Sequence, residues 1–322
     1  MTTCYIDRKD AELRADGQAV AVYEGGMRTA TVPLGPVARL VIVGNVRLEA
    51  RLLHRLAEQG VTVAFIGGRT HRLLGSFART LQGNGARRLA QYRVATDPAQ
   101  VQAIAAGVVV AKLDGHLALL AVLRPHARQG AVVVEAVGRI TTSRTRAVEG
   151  KVAVERLRGR GGAAAAAFFP AYQECFPPSL EFTDRNRRPP QDPVNALLSL
   201  TYTLVHFELL REVEVAGLDP TVGFLHELDY GRESLVCDLV EPQRPAAERW
   251  VWALFHDRVF SVRDFSAGEE RPGCYLKKGG RARFYPLYEG WAESERARWR
   301  DAVRGLVHRF EGGESATSAP GG

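Results

Sequence analysis

The period of the hydrophobic pattern changes once along the chain, and that change limits what the chain can fold into. In the first third, apolar residues come in short alternating segments, around Thr3–Ile6, Ala19–Tyr23, Thr29–Pro33 and Ala38–Val43. Turn chemistry such as Ala15-Asp16-Gly17 and Glu24-Gly25-Gly26 separates them. One helix is expected inside this region, over Arg47–Gln59, with Leu48, Leu52, Leu53 and Leu56 on one face and Gly60 as its stop. Val61–Ile66 then returns as a strand, and Arg72–Phe77 adds one more. After Gly83-Asn84-Gly85 the period becomes helical and stays so. It predicts helices over Ala86–Val94, Pro98–Leu123, Thr145–Arg158, Pro193–Ala216, Pro245–Asp257 and Ala292–Phe310. Gly159–Gly162 and Phe176–Pro190 read as loops. The fold class expected is α+β in series: a β-rich domain over 1–82, a larger all-α domain over 83–311, and a small, polar, disordered tail over 312–322.

The helix after Asp192 has the clearest limits, because Asp at the N-cap, Pro193 at the first helical position and Gly217 just past the end follow three positional preferences. Asn195, Ser199, Tyr202 and His206 follow one another on it at i, i+4, i+7 and i+11, a polar stripe on an apolar helix. Such a stripe is either a set of internally satisfied hydrogen bonds or one wall of a site.

Charge narrows the function. The chain of 322 residues carries 43 Lys and Arg against 36 Asp and Glu, a formal net charge of +7, as expected of a protein with a polyanionic partner. Its distribution is uneven. No acid occurs from Gln59 to Thr96, where Arg69, Arg72, Arg79, Arg87, Arg88 and Arg93 fall, and from Arg139 to Arg160 seven basic residues face only Glu149 and Glu155. These runs are candidate nucleic-acid surface, with solvated helix faces as the alternative. Cys4, Cys175, Cys237 and Cys274 stand too far apart for a zinc clamp or a disulfide framework and read as reduced packing residues. The charged N-terminus lacks the apolar core of a signal peptide, and charges interrupt the apolar stretches before a membrane-spanning length is reached. A soluble cytoplasmic protein without a membrane partner is expected.

Phosphate-loop, dinucleotide-fold, serine-hydrolase and zinc-protease signatures are all missing from the sequence. What remains is oxygen and nitrogen ligands. His226 follows Pro220-Thr221-Val222-Gly223-Phe224-Leu225, and Asp238 comes 12 positions later, with Glu241 at i+3 from it. Two carboxylates and a neutral imidazole suit Mg²⁺ or Mn²⁺ better than zinc or copper, although a salt-bridged capping arrangement uses the same residues. Glu149 is a further candidate, an acid inside a basic run. Phosphodiester transfer needs both a metal-holding acid and phosphate-holding cations.

Four blocks in register then carry a resemblance: Arg187-Arg188-Pro189-Pro190-Gln191-Asp192-Pro193-Val194-Asn195-Ala196-Leu197-Leu198, Gly217-Leu218-Asp219-Pro220, Gly223-Phe224-Leu225-His226 and Asp238-Leu239-Val240-Glu241-Pro242-Gln243-Arg244-Pro245. They resemble the signature of the CRISPR-associated integrase and endonuclease family, Cas1; Val240 and Gln243 stand where that family usually shows Met and Phe. The resemblance implies a β-sandwich-like N-terminal domain that mediates a homodimer, and an all-α catalytic domain. It also implies insertion of captured double-stranded DNA fragments into a CRISPR array, with a small Cas2-like protein bridging two dimers. Carried over by position, Glu149, His226 and Glu241 are the metal ligands. Asp238 is an accessory ligand or orienting group, and Tyr202 with Asn195 borders the site. Arg87, Arg88, Arg146, Lys151, Arg185, Arg187 and Arg188 are the candidate contacts to phosphate. A branched-DNA repair nuclease and a non-catalytic architectural DNA-binding subunit are the alternatives.

Overall fold

The computed structural model describes residues 2–68, 73–78, 85–148, 152–186, 189–267 and 273–312. They fall into two compact units, Met1–Gln82 with Ala282–Glu289, and Gly83–Arg281 with Gly290–Gly322.

The first unit contains β1 (Thr2–Asp7), β2 (Glu12–Asp16), β3 (Ala19–Glu24), β4 (Met27–Pro33), β5 (Val37–Val43), β6 (Arg47–Leu48), α1 (Ala50–Glu58), β7 (Thr62–Ile66) and β8 (Leu73–Phe77). Two four-stranded sheets result, ordered β1-β5-β7-β8 and β4-β3-β2-β6. β1, β5 and β7 run parallel, which requires a crossover, and α1 supplies it between β5 and β7. As the strand between two parallel neighbours, β5 is buried at every position. Leu13, Val20 and Val22 from one sheet, Leu40, Ile42 and Val63 from the other, and Leu52 and Leu56 of α1 share one core. The sandwich-like expectation is therefore met, with one correction. Arg47 and Leu48, expected in the helix, pair in parallel with Glu12 and Leu13. Helix starts only at Ala50, after the Arg47 and Glu49 N–H groups have donated to the carbonyls of Ala11 and Leu13.

The second unit is mostly helical: α2 (Gly85–Ala95), α3 (Pro98–Leu123), α4 (Gly130–Val148), α5 (Val154–Gln173), α6 (Pro193–Val215), α7 (Ser234–Val240), α8 (Arg244–His256) and α9 (Lys278–Phe310), of which Ala282–Glu289 falls in the first unit. A small antiparallel pair, β9 (Phe265–Ala267) and β10 (Cys274–Leu276), stands among them. α6 is capped as the sequence indicates: Asp192 accepts from the Asn195 N–H at 2.8 Å, and Gly217 takes a left-handed φ of 78°. The helix expected over Thr145–Arg158 does not form. α4 ends at Val148, and Ala153 is extended (φ −55°, ψ 144°) before α5. Gly159–Gly162, expected as a loop, is helical instead, carried by the strong helix formers Ala163–Ala167 that follow. α9 likewise begins 14 residues before Ala292, at Lys278. The tail beyond Gly312 lies outside the described residues.

Residues 98–126 are long and apolar enough to cross a membrane, contrary to the expectation that charges interrupt every such stretch. Within the second unit this helix packs against α4, α5 and α8. Three of its polar groups are paired there: Lys112 with Glu241, Asp114 with Arg144, and His116 with Glu248.

Candidate active site

Asp238 and Glu241, three residues apart, occupy different settings. Asp238 lies in the last turns of α7 and is 2% exposed. Its Oδ2 accepts from the backbone N–H groups of Phe224 (2.6 Å) and Leu225 (2.9 Å). Oδ1 accepts from the N–H of His226 (3.0 Å) and from its ring Nδ1 (2.7 Å). One carboxylate thus ties the segment before His226 to α7 and fixes the tautomer. With Nδ1–H donating, Nε2 of the neutral ring carries the lone pair. The side chain of His226 is 29% exposed, so that lone pair belongs to a partly open site.

Gly223 explains how the segment comes so close. A Cβ there would stand 2.7 Å from the carbonyl carbon of Ser234 and 2.8 Å from its oxygen, both backbone atoms that cannot yield. Leu235 N–H donates to the Pro220 carbonyl at 3.0 Å on the same approach.

Glu241 opens the short 3-10 turn Glu241–Gln243 that follows α7. Its oxygens are held by side chains, Lys112 Nζ at 2.5 Å and Arg244 Nε at 2.7 Å. Burial alone would raise its pKa, but the positive charges of Arg244 and Lys112 outweigh that and hold the carboxyl well below the usual carboxylate range. Lys112 reaches it because α3 approaches α8 closely: a Cβ at Gly115 would meet Pro245 Cγ at 2.7 Å.

Behind Arg244 the polar stripe of α6 is engaged throughout. The Arg244 guanidinium lies over the Tyr202 ring, 4.5 Å from its centroid. The Tyr202 hydroxyl donates to Glu248 Oε1 at 2.6 Å, and the other Glu248 oxygen is 3.0 Å from His116 Nε2. Asn195 accepts from Arg185 Nη1 at 2.7 Å, Ser199 accepts from Arg185 Nη2 at 3.2 Å, and His206 Nε2 is 2.8 Å from Glu233. The stripe is a set of satisfied hydrogen bonds, and through Tyr202 it also borders the residues around Glu241.

The sequence reading missed Lys112, His116, Arg244 and Glu248 as members of this neighbourhood. Arg244 stood inside a quoted block, but the α3 residues gave no signal beyond being polar on an apolar helix. Glu149 lies outside the described residues. Among the described residues no group of three or more His, Cys, Asp or Glu side chains is gathered as a metal ion would require.

Of the candidate phosphate contacts, Lys151, Arg187 and Arg188 also lie outside the described residues. Arg88 and Arg146 are exposed. Arg87 is engaged by Glu311 at 2.8 Å and by the Ala216 carbonyl at 3.1 Å. Arg185 is turned inward onto α6 by Asn195 and Ser199, with its guanidinium 5.5 Å from the Tyr202 ring centroid. The four cysteines are free thiols, as expected.

Residues 4–290 match the family model described as CRISPR associated protein Cas1. A relative named CRISPR-associated endonuclease Cas1 1, from Thermodesulfovibrio yellowstonii, is 41% identical over 311 residues, 96% of this chain and 97% of its own. Another, CRISPR-associated endonuclease Cas1 3 from Thermus thermophilus, is 34% identical over 89% of this chain and 83% of its own. Among solved structures, a CAS1 protein from Thermotoga maritima superposes with a TM-score of 0.86 at 22% identity, covering 99% of this chain and 100% of that one. A casposase bound to integration product gives 0.79 at 19% identity, covering 99% and 94%. A Cas6-RT-Cas1–Cas2 complex gives 0.82 at 20% identity, covering 98% of this chain and 35% of that one. At these identities the structures speak for the fold.

Proposed function

The chain belongs to the CRISPR-associated Cas1 family, and from that premise we propose that it is a metal-dependent DNA endonuclease and integrase that inserts captured fragments into a CRISPR array by phosphodiester transfer. The observation that carries the reading is the frame around Asp238 and Glu241. Asp238 presents His226 with Nε2 free, and Glu241 follows as an ionised carboxylate already surrounded by positive charge.

By donor chemistry the ionised Glu241 carboxylate and the His226 imidazole would suit a hard divalent cation such as Mg²⁺ or Mn²⁺, with Glu149, outside the described residues, as the third ligand that the resemblance implies. Bound there, such an ion supplies activation of an attacking hydroxyl or water and stabilisation of the leaving oxygen. Asp238, with its acceptor capacity spent on three amides and an imidazole, orients His226 and holds no ion itself. Lys112 and Arg244 carry positive charge beside the position where a phosphate would stand. Exposed cations such as Arg88 and Arg146 hold the DNA backbone with little regard to sequence. The relatives' endonuclease names and the casposase and Cas1–Cas2 assemblies support DNA and a small Cas2-like protein as partners. The β-rich first unit is proposed as the homodimer surface.

Purified protein should cut and join DNA only with Mg²⁺ or Mn²⁺, and His226→Ala or Glu241→Ala should abolish both while circular dichroism stays native. Full metal-dependent activity in the double change Glu149→Ala with Glu241→Ala would sink the assignment. Cleavage of branched DNA without any joining into a repeat would favour a repair nuclease. Light scattering should give twice the 35.3 kDa of one chain.

A further inference from the structure

We infer that Glu248 is a positioning residue for Glu241, acting through Arg244. The inference rests on the reading of Glu241 as a metal-holding carboxylate.

Arg244 is shared. Its Nε donates to Glu241 at 2.7 Å, while its guanidinium plane covers the Tyr202 ring whose hydroxyl is fixed on Glu248 at 2.6 Å. Glu248 is 1% exposed, and it cannot drift, because His116 Nε2 holds one oxygen at 3.0 Å and the Tyr172 hydroxyl donates to its backbone carbonyl at 2.7 Å. The cluster Lys112, Arg244, Glu241 and Glu248 therefore holds two cations and two anions, all at least mostly buried. In such surroundings charges act on one another far more strongly than in water.

A carboxylate whose neighbouring cations are shared with a second fixed anion keeps more of its charge for a dication. Through Tyr202 the fixed charge of Glu248 stands on the other side of the same guanidinium, so Arg244 is shared between two carboxylates and is not spent on Glu241 alone. Glu248 touches neither Glu241 nor the open site. Its effect is on how much positive charge Glu241 sees and on where the guanidinium stands.

The test is Mn²⁺ titration followed by electron paramagnetic resonance on the full-length protein, with thermal unfolding and DNA binding in chelator measured in parallel. Glu248→Gln keeps the volume and an oxygen for the Tyr202 hydroxyl but removes the charge. It should weaken Mn²⁺ binding on the order of tenfold and leave DNA affinity in chelator within twofold. In an Arg244→Gln background the same change should shift Mn²⁺ affinity by less than twofold, because the residue it acts through is gone. Thr201→Val, which loses a buried hydroxyl bond to the Leu197 carbonyl and touches no member of the cluster, should shift the melting temperature without moving Mn²⁺ affinity.

A folded Glu248→Gln protein with unchanged Mn²⁺ affinity overturns the inference, as does an undiminished effect in the Arg244→Gln background. If Glu248→Gln fails to fold, Tyr202→Phe decides: it keeps the ring under Arg244 and frees Glu248. A threefold weakening supports the inference and no change overturns it. Mn²⁺ binding that survives Glu241→Gln intact overturns the site reading and the inference with it, whereas loss in Glu241→Gln with no change in Glu248→Gln overturns the inference alone.

Discussion

Asp238 and Glu241 are both buried acids of one short turn, yet one is answered by backbone amides and the other by side-chain cations. Amides fixed in a chain cannot step aside, so Asp238 is committed to architecture. Lys and Arg side chains have rotamers and can move off an oxygen, so Glu241 keeps an ionised group that another cation can share. Spacing in sequence cannot separate these roles, since both residues look like ligands at i and i+3. The partners separate them.

The difference can be broken most sharply at Asp238. Asp238→Asn points an amide NH₂ or a neutral oxygen at donors that need an anion, and should cost about 3 kcal/mol, read by urea denaturation, with activity lost as His226 comes adrift. A cost near zero would show that the segment Phe224–His226 is held by something else. Gly223→Ala attacks the same frame without touching a charge. The added Cβ must push the segment off the Ser234 backbone, and about 2 kcal/mol of destabilisation should accompany weakened Mn²⁺ binding.

Glu241→Gln should abolish activity and cost about 2 kcal/mol at neutral pH, because the amide oxygen still accepts one hydrogen bond but two mostly buried cations lose their anion. Its signature is pH. Although burial opposes it, Arg244 and Lys112 depress the Glu241 pKa in the folded state. The stability it contributes is therefore present above the usual carboxylate range and is lost as pH falls below it. The acid limb of the stability profile should flatten in Glu241→Gln, and an unchanged limb would mean the ion pairs contribute nothing. The smallest structural effect belongs to the exposed cations. Arg88→Glu should leave stability within about 0.5 kcal/mol while reducing the salt slope of duplex binding by about one unit or somewhat more.

How much of this could be read from the residues follows the range of the forces involved. The α6 caps are local chemistry and were legible, as were the alternating strands and the Gly223–His226 and Asp238–Pro245 blocks. The break between α4 and α5 was not, because Thr145–Arg158 keeps a helical pattern straight through it. Nor was the helical state of Gly159–Gly162, where neighbouring alanines override weak formers. The parallel register that turned Arg47 and Leu48 into strand depends on Ala11 and Leu13, more than thirty residues away. At the site, Lys112 comes to Glu241 from 129 positions away and His116 to Glu248 from 132. A single sequence marks such residues as polar on an apolar helix and says nothing of whom they meet.

The stretch between the two halves of the Asp238 frame has a property of its own. After His226 the chain leaves as 227–233 and is fastened at its base, where the Ser234 hydroxyl donates to the Glu227 carbonyl at 2.6 Å. Leu228 and Tyr230 on it are 70% and 104% exposed. Closing a longer loop costs only the logarithm of its added length, and the anchors on both sides are independent of what lies between. A change of length between Leu228 and Arg232 should therefore leave His226 with its tautomer and its aim.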